Sequence, residues 1–319
     1  MTLPSLSVVV PNYNHGHSLP ACLDALLAQS VPPDEIVVID DGSTDDSRTV
    51  IADYARRHPC IRPEANPANR GVVFTMNRGL ELARGDYLHF ASADDMVLPG
   101  LFERSLTLLA AHPRAALSCS ASRWSDMDSG MTWSMAAGLA QEPGYLDPDR
   151  LVALERAGRL MIVSHSALLK AGVVREFGGF LPDLRWHCDW FLTYAAAFRH
   201  GLCYRPEVLS QVHLHGSSYY GSGRRRTEHD AVMTRLLELL HEERFGDVAR
   251  RIRESGALSL HAIPMLRAML RQPAHRDFLT ARFLRKCLWR QAQVLARRHF
   301  PTWLARACIR LFLRPTPSR

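Results

Sequence analysis

Apolar and polar positions in the first hundred residues fall into blocks. Ile36-Val37-Val38-Ile39 is an unbroken β-branched run, and Leu6-Ser7-Val8-Val9-Val10 is nearly one. Such runs, without polar alternation, predict parallel strands buried on both faces. Asp86-Tyr87-Leu88-His89-Phe90-Ala91 predicts a third. Between them the spacing changes to that of helices. Leu19, Leu23, Leu26 and Leu27 share a face after Ser18, a candidate N-cap, and Val50, Ile51, Tyr54 and Ala55 share another. Phe74, Leu80, Leu82 and Ala83 predict a third helix before Gly85. Strand–helix alternation with short connections calls for an α/β fold with a mainly parallel, helix-covered sheet.

Each predicted strand ends in a polar cluster. The first stops at Pro11-Asn12-Tyr13-Asn14, where proline is expected to end the ladder. The second runs into Asp40-Asp41-Gly42-Ser43-Thr44-Asp45, and the third into Ser92-Ala93-Asp94-Asp95. An Asp-Gly turn before a helix cap would account for any one of these. Three clusters at the carboxyl ends of strands, where open α/β sheets place ligands, point to a site.

Composition narrows the class. The chain has 319 residues, 47% hydrophobic and 22% charged, enough for a large folded domain with an appendage. Seven scattered cysteines without a Cys-x-x-Cys pair read as reduced thiols of a cytoplasmic protein. No signal peptide is evident, and no apolar run approaches the roughly 20 residues needed to span a bilayer. Charge is uneven: residues 271–319 carry +11 against +7 overall, which leaves −4 for residues 1–270. The basicity therefore belongs to the tail.

In order along the chain stand Pro11-x-Tyr13-Asn14, Asp40-Asp41-Gly42-Ser43-x-Asp45, Asn69-x-Gly71, Asn77-x-Gly79-Leu80, Gly85-Asp86-Tyr87 and Ala93-Asp94-Asp95. This series resembles the nucleotide-binding half of the inverting family 2 glycosyltransferases of the GT-A fold. Ser166-Ala167-Leu168, Gly178-Gly179-Phe180 and Trp186-His187-Cys188-Asp189-Trp190 resemble that family's acceptor half. The resemblance implies a catalytic domain over 1–222, split into a nucleotide-sugar half (1–99) and an acceptor half (100–222), before a basic helical region over 223–319. It also implies a Rossmann-type sandwich that takes a nucleoside diphosphate-sugar, UDP-linked by preference, and transfers the sugar to a glycan or lipid-linked acceptor.

The chemistry fits those residues. Carboxylates at a strand end accept hydrogen bonds from a base or ribose, so Asp40 and Asp41 are expected to select the nucleotide beside the Pro11, Tyr13 and Asn14 loop. Asn69, Gly71, Asn77 and Ala93 complete the donor set by resemblance. A diphosphate leaving group needs its charge neutralised, and Mg²⁺ or Mn²⁺ on Asp94, with Asp95 and His215, would do this. The family's first metal-motif acid is replaced by Ser92, an uncharged and weaker ligand, and Met76 stands where the family often has arginine. Asp189 occupies the position of the base that deprotonates the acceptor, flanked by Trp186 and Trp190. His213 and His215 read equally as ligands to metal or phosphate and as outward positions of a strand.

Beyond Gly221-Ser222-Gly223 the spacing predicts helices. One has a Leu279, Phe283, Cys287, Leu288 stripe, and a last one carries Trp303, Leu304, Leu311 and Phe312 among arginines. Basic amphipathic helices suit an anionic membrane surface, and equally an appendage packed through its apolar stripe. No nucleic-acid-binding motif accompanies the charge, and an oligomer is compatible with the sequence. The competing function is a lapsed, glycosyltransferase-like binding or scaffold protein, for which Ser92 is the best support. Retention of Asp40, Asp41, Asp94 and Asp189 favours an enzyme.

Overall fold

The computed structural model describes residues 2–214 and 226–299. The chain divides into two compact units, residues 1–151 with 160–223 and residues 152–159 with 224–319. The sequence places a break at 222–223 and does not anticipate that 152–159 groups with the tail.

The first unit is built on a ten-stranded mixed sheet. Strands β1 (Leu6–Asn12), β2 (Glu35–Asp40), β3 (Ile61–Ala65) and β4 (Tyr87–Phe90) lie in the order β3-β2-β1-β4, all parallel. Every residue of β2 is buried, as an unalternated apolar strand requires. Helices α1 (Leu19–Leu27), α2 (Ser47–Arg57) and α3 (Val72–Leu82) are the crossovers. Leu19, Leu23, Leu26, Ile51 and Tyr54 join Val8, Val10, Ile36 and Val38 in one apolar core. The sheet continues through β9 (Leu168–Lys170), antiparallel to β4, then β6 (Leu117–Asp126), β10 (Leu202–Leu214) and the short β5 (Met96–Val97). Helix α4 (Leu101–Ala111) packs on this second half, and β7 (Thr132–Met135) and β8 (Gly144–Leu146) pair with β6 and β10.

Three local expectations change. The first strand does not stop at Pro11: the register runs on, Pro11 opposite Ile39 and Asn12 opposite Asp40. Val9 accepts from Ala91 on the β4 side, and Asn12 accepts from Asp41 on the β2 side. By alternation the missing N–H of Pro11 faces the β4 side, beyond the last β1–β4 pair, so no ladder bond is lost. Ser18 occupies the N-cap position of α1 without a side-chain cap; its hydroxyl donates to the His15 carbonyl instead. Phe74, expected on the buried face of α3, is 39% exposed, with the Arg70 guanidinium over its ring, while Val73, Thr75, Gly79 and Leu80 face inward.

In the second unit, helices Arg226–His241, Gly246–Ser255, Ala262–Arg271 and Ala281–His299 surround a core that includes Leu236, Leu240, Ile252, Met265 and Phe283. Phe283 and Cys287 of the expected stripe are buried, but Leu288 is 72% exposed, so the true inward face is rotated from the one the sequence indicates. Lys286, expected among solvated cations, is buried. Its ammonium pairs with the buried Glu155 carboxylate and donates to the Glu155 carbonyl at 2.6 Å. The last stripe, Trp303 to Phe312, lies outside the described residues.

Removing one partner of a buried ion pair strands the other charge. Lys286→Ala is therefore expected to destabilise the second unit by about 3–5 kcal/mol in a urea titration. A loss under about 1 kcal/mol would mean that Glu155 finds other donors or water.

Candidate active site

The loops after β1, β2 and β3 are sewn together at the carboxyl ends of their strands. Asp40 is 2% exposed: Oδ1 accepts from Asn12 Nδ2 at 3.3 Å, and Oδ2 accepts from the Ser43 amide at 3.2 Å and Arg48 Nε at 2.8 Å. Burial works to raise its pKa, but the hydrogen bonds from Ser43, Arg48 and Asn12 prevail and hold it below the usual carboxylate range. Asp41 is 3% exposed and serves the other side. Its Oδ1 accepts from Asn66 Nδ2 at 2.7 Å and the Arg70 amide at 2.9 Å, and its Oδ2 accepts from the Gly71 amide at 2.8 Å. Both acids expected to meet the nucleotide are thus turned toward protein donors, and they shape the crevice through the loops they hold.

The first loop follows the same logic. Asn14 adopts φ 57°, a left-handed conformation asparagine tolerates, and its Oδ1 accepts from the Thr44 amide at 2.8 Å. Its own amide donates to Ser43 Oγ at 2.9 Å, and Gly16 donates to Asp45 Oδ2 at 2.9 Å. Pro11 is half-buried, whereas Tyr13 is 41% exposed. At Gly42, φ 73°, the Ala68–Asn69 backbone passes so close that a Cβ would lie 2.7 Å from it. Asn69 is exposed and accepts from the Gly71 amide at 3.0 Å. Asn77 is occupied elsewhere: its Nδ2 donates to the Phe180 carbonyl at 2.7 Å, and its Oδ1 accepts from the Phe180 amide at 2.9 Å. It ties α3 to the Gly178-Gly179-Phe180 segment.

The turn after β4 separates its two acids. Ser92 is exposed, Ala93 is buried and Asp94 is half-buried. The Asp94 carboxylate makes no hydrogen bond among the described residues. Asp95, expected beside it as a second ligand, is turned inward because the His213 amide donates to its Oδ1 at 2.8 Å. Burial, then the neighbouring Asp94 charge, pushes the Asp95 carboxyl up to about 7. Its Oδ2 lies 3.8 Å from Nδ1 of His165, an imidazole that burial depresses to about 4. Among the described residues, no group of three or more His, Cys, Asp or Glu side chains is gathered for a metal ion. A hard cation held by one carboxylate and substrate phosphates remains compatible with Asp94. His215 lies outside the described residues.

Asp189 opens helix α7 (Cys188–His200), after a 3₁₀ turn in which Arg185 takes φ 47°, ψ −122°. Its Oδ2 accepts from Ser164 Oγ at 2.8 Å and its Oδ1 from the Trp190 amide at 2.7 Å. Burial raises its pKa despite these hydrogen bonds. Trp186 is buried, and Trp190 stacks on Tyr194 with ring centroids 4.9 Å apart. Ser164 and His165 are adjacent in one 3₁₀ turn, so a single dipeptide touches both the Asp189 and the Asp95 carboxylates. That junction brings the expected base and the expected metal turn together. Sequence reasoning missed Ser164, His165, Asn66 and the contacts of His213. Ser164-His165 directly precedes the Ser166-Ala167-Leu168 motif, which was the available signal.

Comparisons with known proteins agree on the class. The family description "Glycosyl transferase family 2" matches residues 7–177. An uncharacterized glycosyltransferase of Escherichia coli, YibD, is 28% identical over 250 residues, covering 74% of this chain and 71% of YibD. EpsJ of Bacillus subtilis is 37% identical over 102 residues, 32% of this chain and 29% of EpsJ. Among solved structures, residues 1–349 of Staphylococcus aureus TarS with UDP-GlcNAc superpose at a TM-score of 0.65 and 16% identity, covering 95% of this chain and 87% of that one. A Pyrobaculum calidifontis mannosyltransferase with GDP-Man and Mn²⁺ gives 0.55 and 17%, covering 97% and 79%. The fold is therefore that of the GT-A glycosyltransferases.

Replacing Asp41 by alanine leaves the Asn66 amide and the N–H groups of Arg70 and Gly71 without an acceptor. Stability is expected to fall by about 1–3 kcal/mol, with faster hydrogen exchange at residues 70 and 71. Unchanged exchange there would show that the loop is held by other means.

Proposed function

The chain belongs to glycosyl transferase family 2, and from that premise we propose that it is a catalytic, inverting enzyme that uses a nucleoside diphosphate-sugar. The observation that carries this reading is the junction at Ser164-His165, which joins the Asp189 carboxylate to the Asp94–Asp95 turn. A base and a diphosphate site must lie within one sugar's reach of each other, and a shared dipeptide supplies that proximity.

In this reading Asp189 accepts the proton of an acceptor hydroxyl as its oxygen attacks the anomeric carbon. The bond to the diphosphate oxygen breaks on the opposite face, so configuration inverts. Ser164 holds the Asp189 carboxylate in one orientation while each oxygen keeps a lone pair for the incoming proton. The loops fastened by Asp40 and Asp41 form the floor for the nucleotide, with Tyr13, Asn69 and Asp94 open to it. Asp94 would hold Mg²⁺ or Mn²⁺, which when bound neutralises charge on the leaving diphosphate. The neighbours' ligands, UDP-GlcNAc and GDP-Man with Mn²⁺, supply the first compounds to test.

The acceptor we propose is a glycan or lipid-linked glycan of surface polysaccharide synthesis, met at the cytoplasmic face of a membrane. No described helix is long and apolar enough to cross one. Support for surface attachment comes from the +11 charge of residues 271–319 and from Leu284, Leu288 and Leu295, exposed by 38%, 72% and 55% on helix Ala281–His299. The competing reading, a lapsed enzyme that only binds, is favoured by Ser92 alone.

Asp189→Asn keeps the shape and removes the base, so transfer is expected to fall by roughly 10²–10⁴-fold with nucleotide affinity retained. Because the Asp189 pKa is raised, the wild-type rate should climb with pH along a limb above the ordinary carboxylate range. A limb that persists in the variant would assign it to another group. A wild type that binds nucleotide and metal yet never turns over would favour the lapsed reading.

For the tail, each arginine near an anionic surface contributes about 1 kcal/mol, so attachment should be reversible and salt-sensitive. Full-length protein is expected to sediment with anionic liposomes at low salt and to leave them at high salt. Indifference to liposome charge would end the membrane reading.

A further inference from the structure

The turn carrying Asp94 is braced by one residue of β10. The His213 amide donates to Asp95 Oδ1 at 2.8 Å, and the His213 ring Nδ1 lies 2.9 Å from the Asp94 carbonyl oxygen. A carbonyl can only accept, so Nδ1 carries the proton. Nε2 then has a lone pair, and Gln211 Nε2 stands 2.9 Å from it as donor. The backbone around Gln211 is fixed in turn, because Ser210 and Gln211 pair with Val97 and Met96 directly after the acids. Both ring nitrogens are thereby committed. His213 has no lone pair left for a cation unless Gln211 is displaced.

We propose that His213 is a positioning residue of this active site, which fixes the Asp94 backbone and so aims its carboxylate without touching metal, phosphate or sugar. The inference rests on the reading of Asp94 as the residue that faces the donor diphosphate. Its physical basis is the contrast between the two acids. Asp95 is anchored through its side chain, whereas the Asp94 side chain makes no hydrogen bond among the described residues. The direction of the Asp94 carboxylate is therefore inherited from its backbone, and the His213 ring bonds the carbonyl of that same residue. With serine at position 92 instead of a second acid, one carboxylate must do the work of two. Small errors in its direction then matter more.

The test uses the full chain titrated calorimetrically with UDP and with GDP, with and without Mn²⁺. His213→Ala should weaken nucleotide affinity in Mn²⁺ by roughly 10–100-fold and leave metal-free affinity little changed. His213→Asn places an amide N–H close to the position of Nδ1 and should restore most of the loss. His213→Gln reaches toward the Nε2 position and should not. Melting temperatures of the Asn and Gln variants separate aim from folding: they should match while the Mn²⁺-dependent affinities differ. Long-range proton–nitrogen correlation spectra of the wild type should find the proton on Nδ1. The inference is overturned if the alanine variant binds like wild type, if Asn and Gln variants are equally impaired, or if the proton sits on Nε2. Wild-type protein that binds neither nucleotide overturns the glycosyltransferase reading and this inference with it. Wild-type binding that His213→Ala matches overturns this inference alone.

Discussion

A carboxylate taken out of water is tolerated only when donors replace the hydration it loses, and the whole donor crevice is arranged around that requirement at one strand end. Asp40 and Asp41 draw their donors from the loops after all three leading strands: Asn12 from the first, Ser43 and Arg48 from the second, Asn66, Arg70 and Gly71 from the third. The acids set loop positions as much as they set charge. The close crossing of Gly42 by the Ala68–Asn69 backbone follows from the same pull, since the third loop must come near enough to reach Asp41.

The catalytic half is organised differently. Its key contacts join residues distant in sequence through adjacent positions on single elements. Ser164 and His165 reach Asp189 and Asp95, and His213 reaches Asp94 and Asp95. Buried imidazoles line this region: His89, depressed by burial to about 3, stands 5.7 Å from His165 by ring centroids and bonds the Ala167 carbonyl. Both imidazoles stay uncharged at neutral pH, so the turn's negative charge is not cancelled from behind.

Much of the first half was legible because its elements are local. Unalternated apolar runs fixed the buried strands, and amphipathic spacing fixed α1 to α3 within a residue or two. Errors arose where a residue's role depended on a partner the pattern cannot name. Pro11 looked like a terminator because its harmless direction depends on where β4 ends. Phe74 looked buried because helical spacing does not report which side the sheet occupies. The site acids were recognisable as a set, but their orientations were not. Asp95 and Asn77 are drawn to backbone groups of His213 and Phe180, more than a hundred residues away. The Glu155–Lys286 pair was invisible for the same reason, joining a segment at 152–159 to a helix near the end of the chain.

The brace on the Asp94–Asp95 turn also has a consequence in time. His213 lies 118 residues beyond Asp95, so a nascent chain that has already released its parallel strands still lacks the residue that seats the turn. At ordinary synthesis rates the interval is on the order of 10 s. During that interval the core of β1, β2 and β4 can assemble, because its contacts lie within the first ninety residues. The acidic turn is left to find its place only when β10 emerges and zips onto β5. A ribosome-bound intermediate therefore has its nucleotide floor before it has an aimed carboxylate, and chains cut short of β10 keep much of the fold while the chemistry is absent.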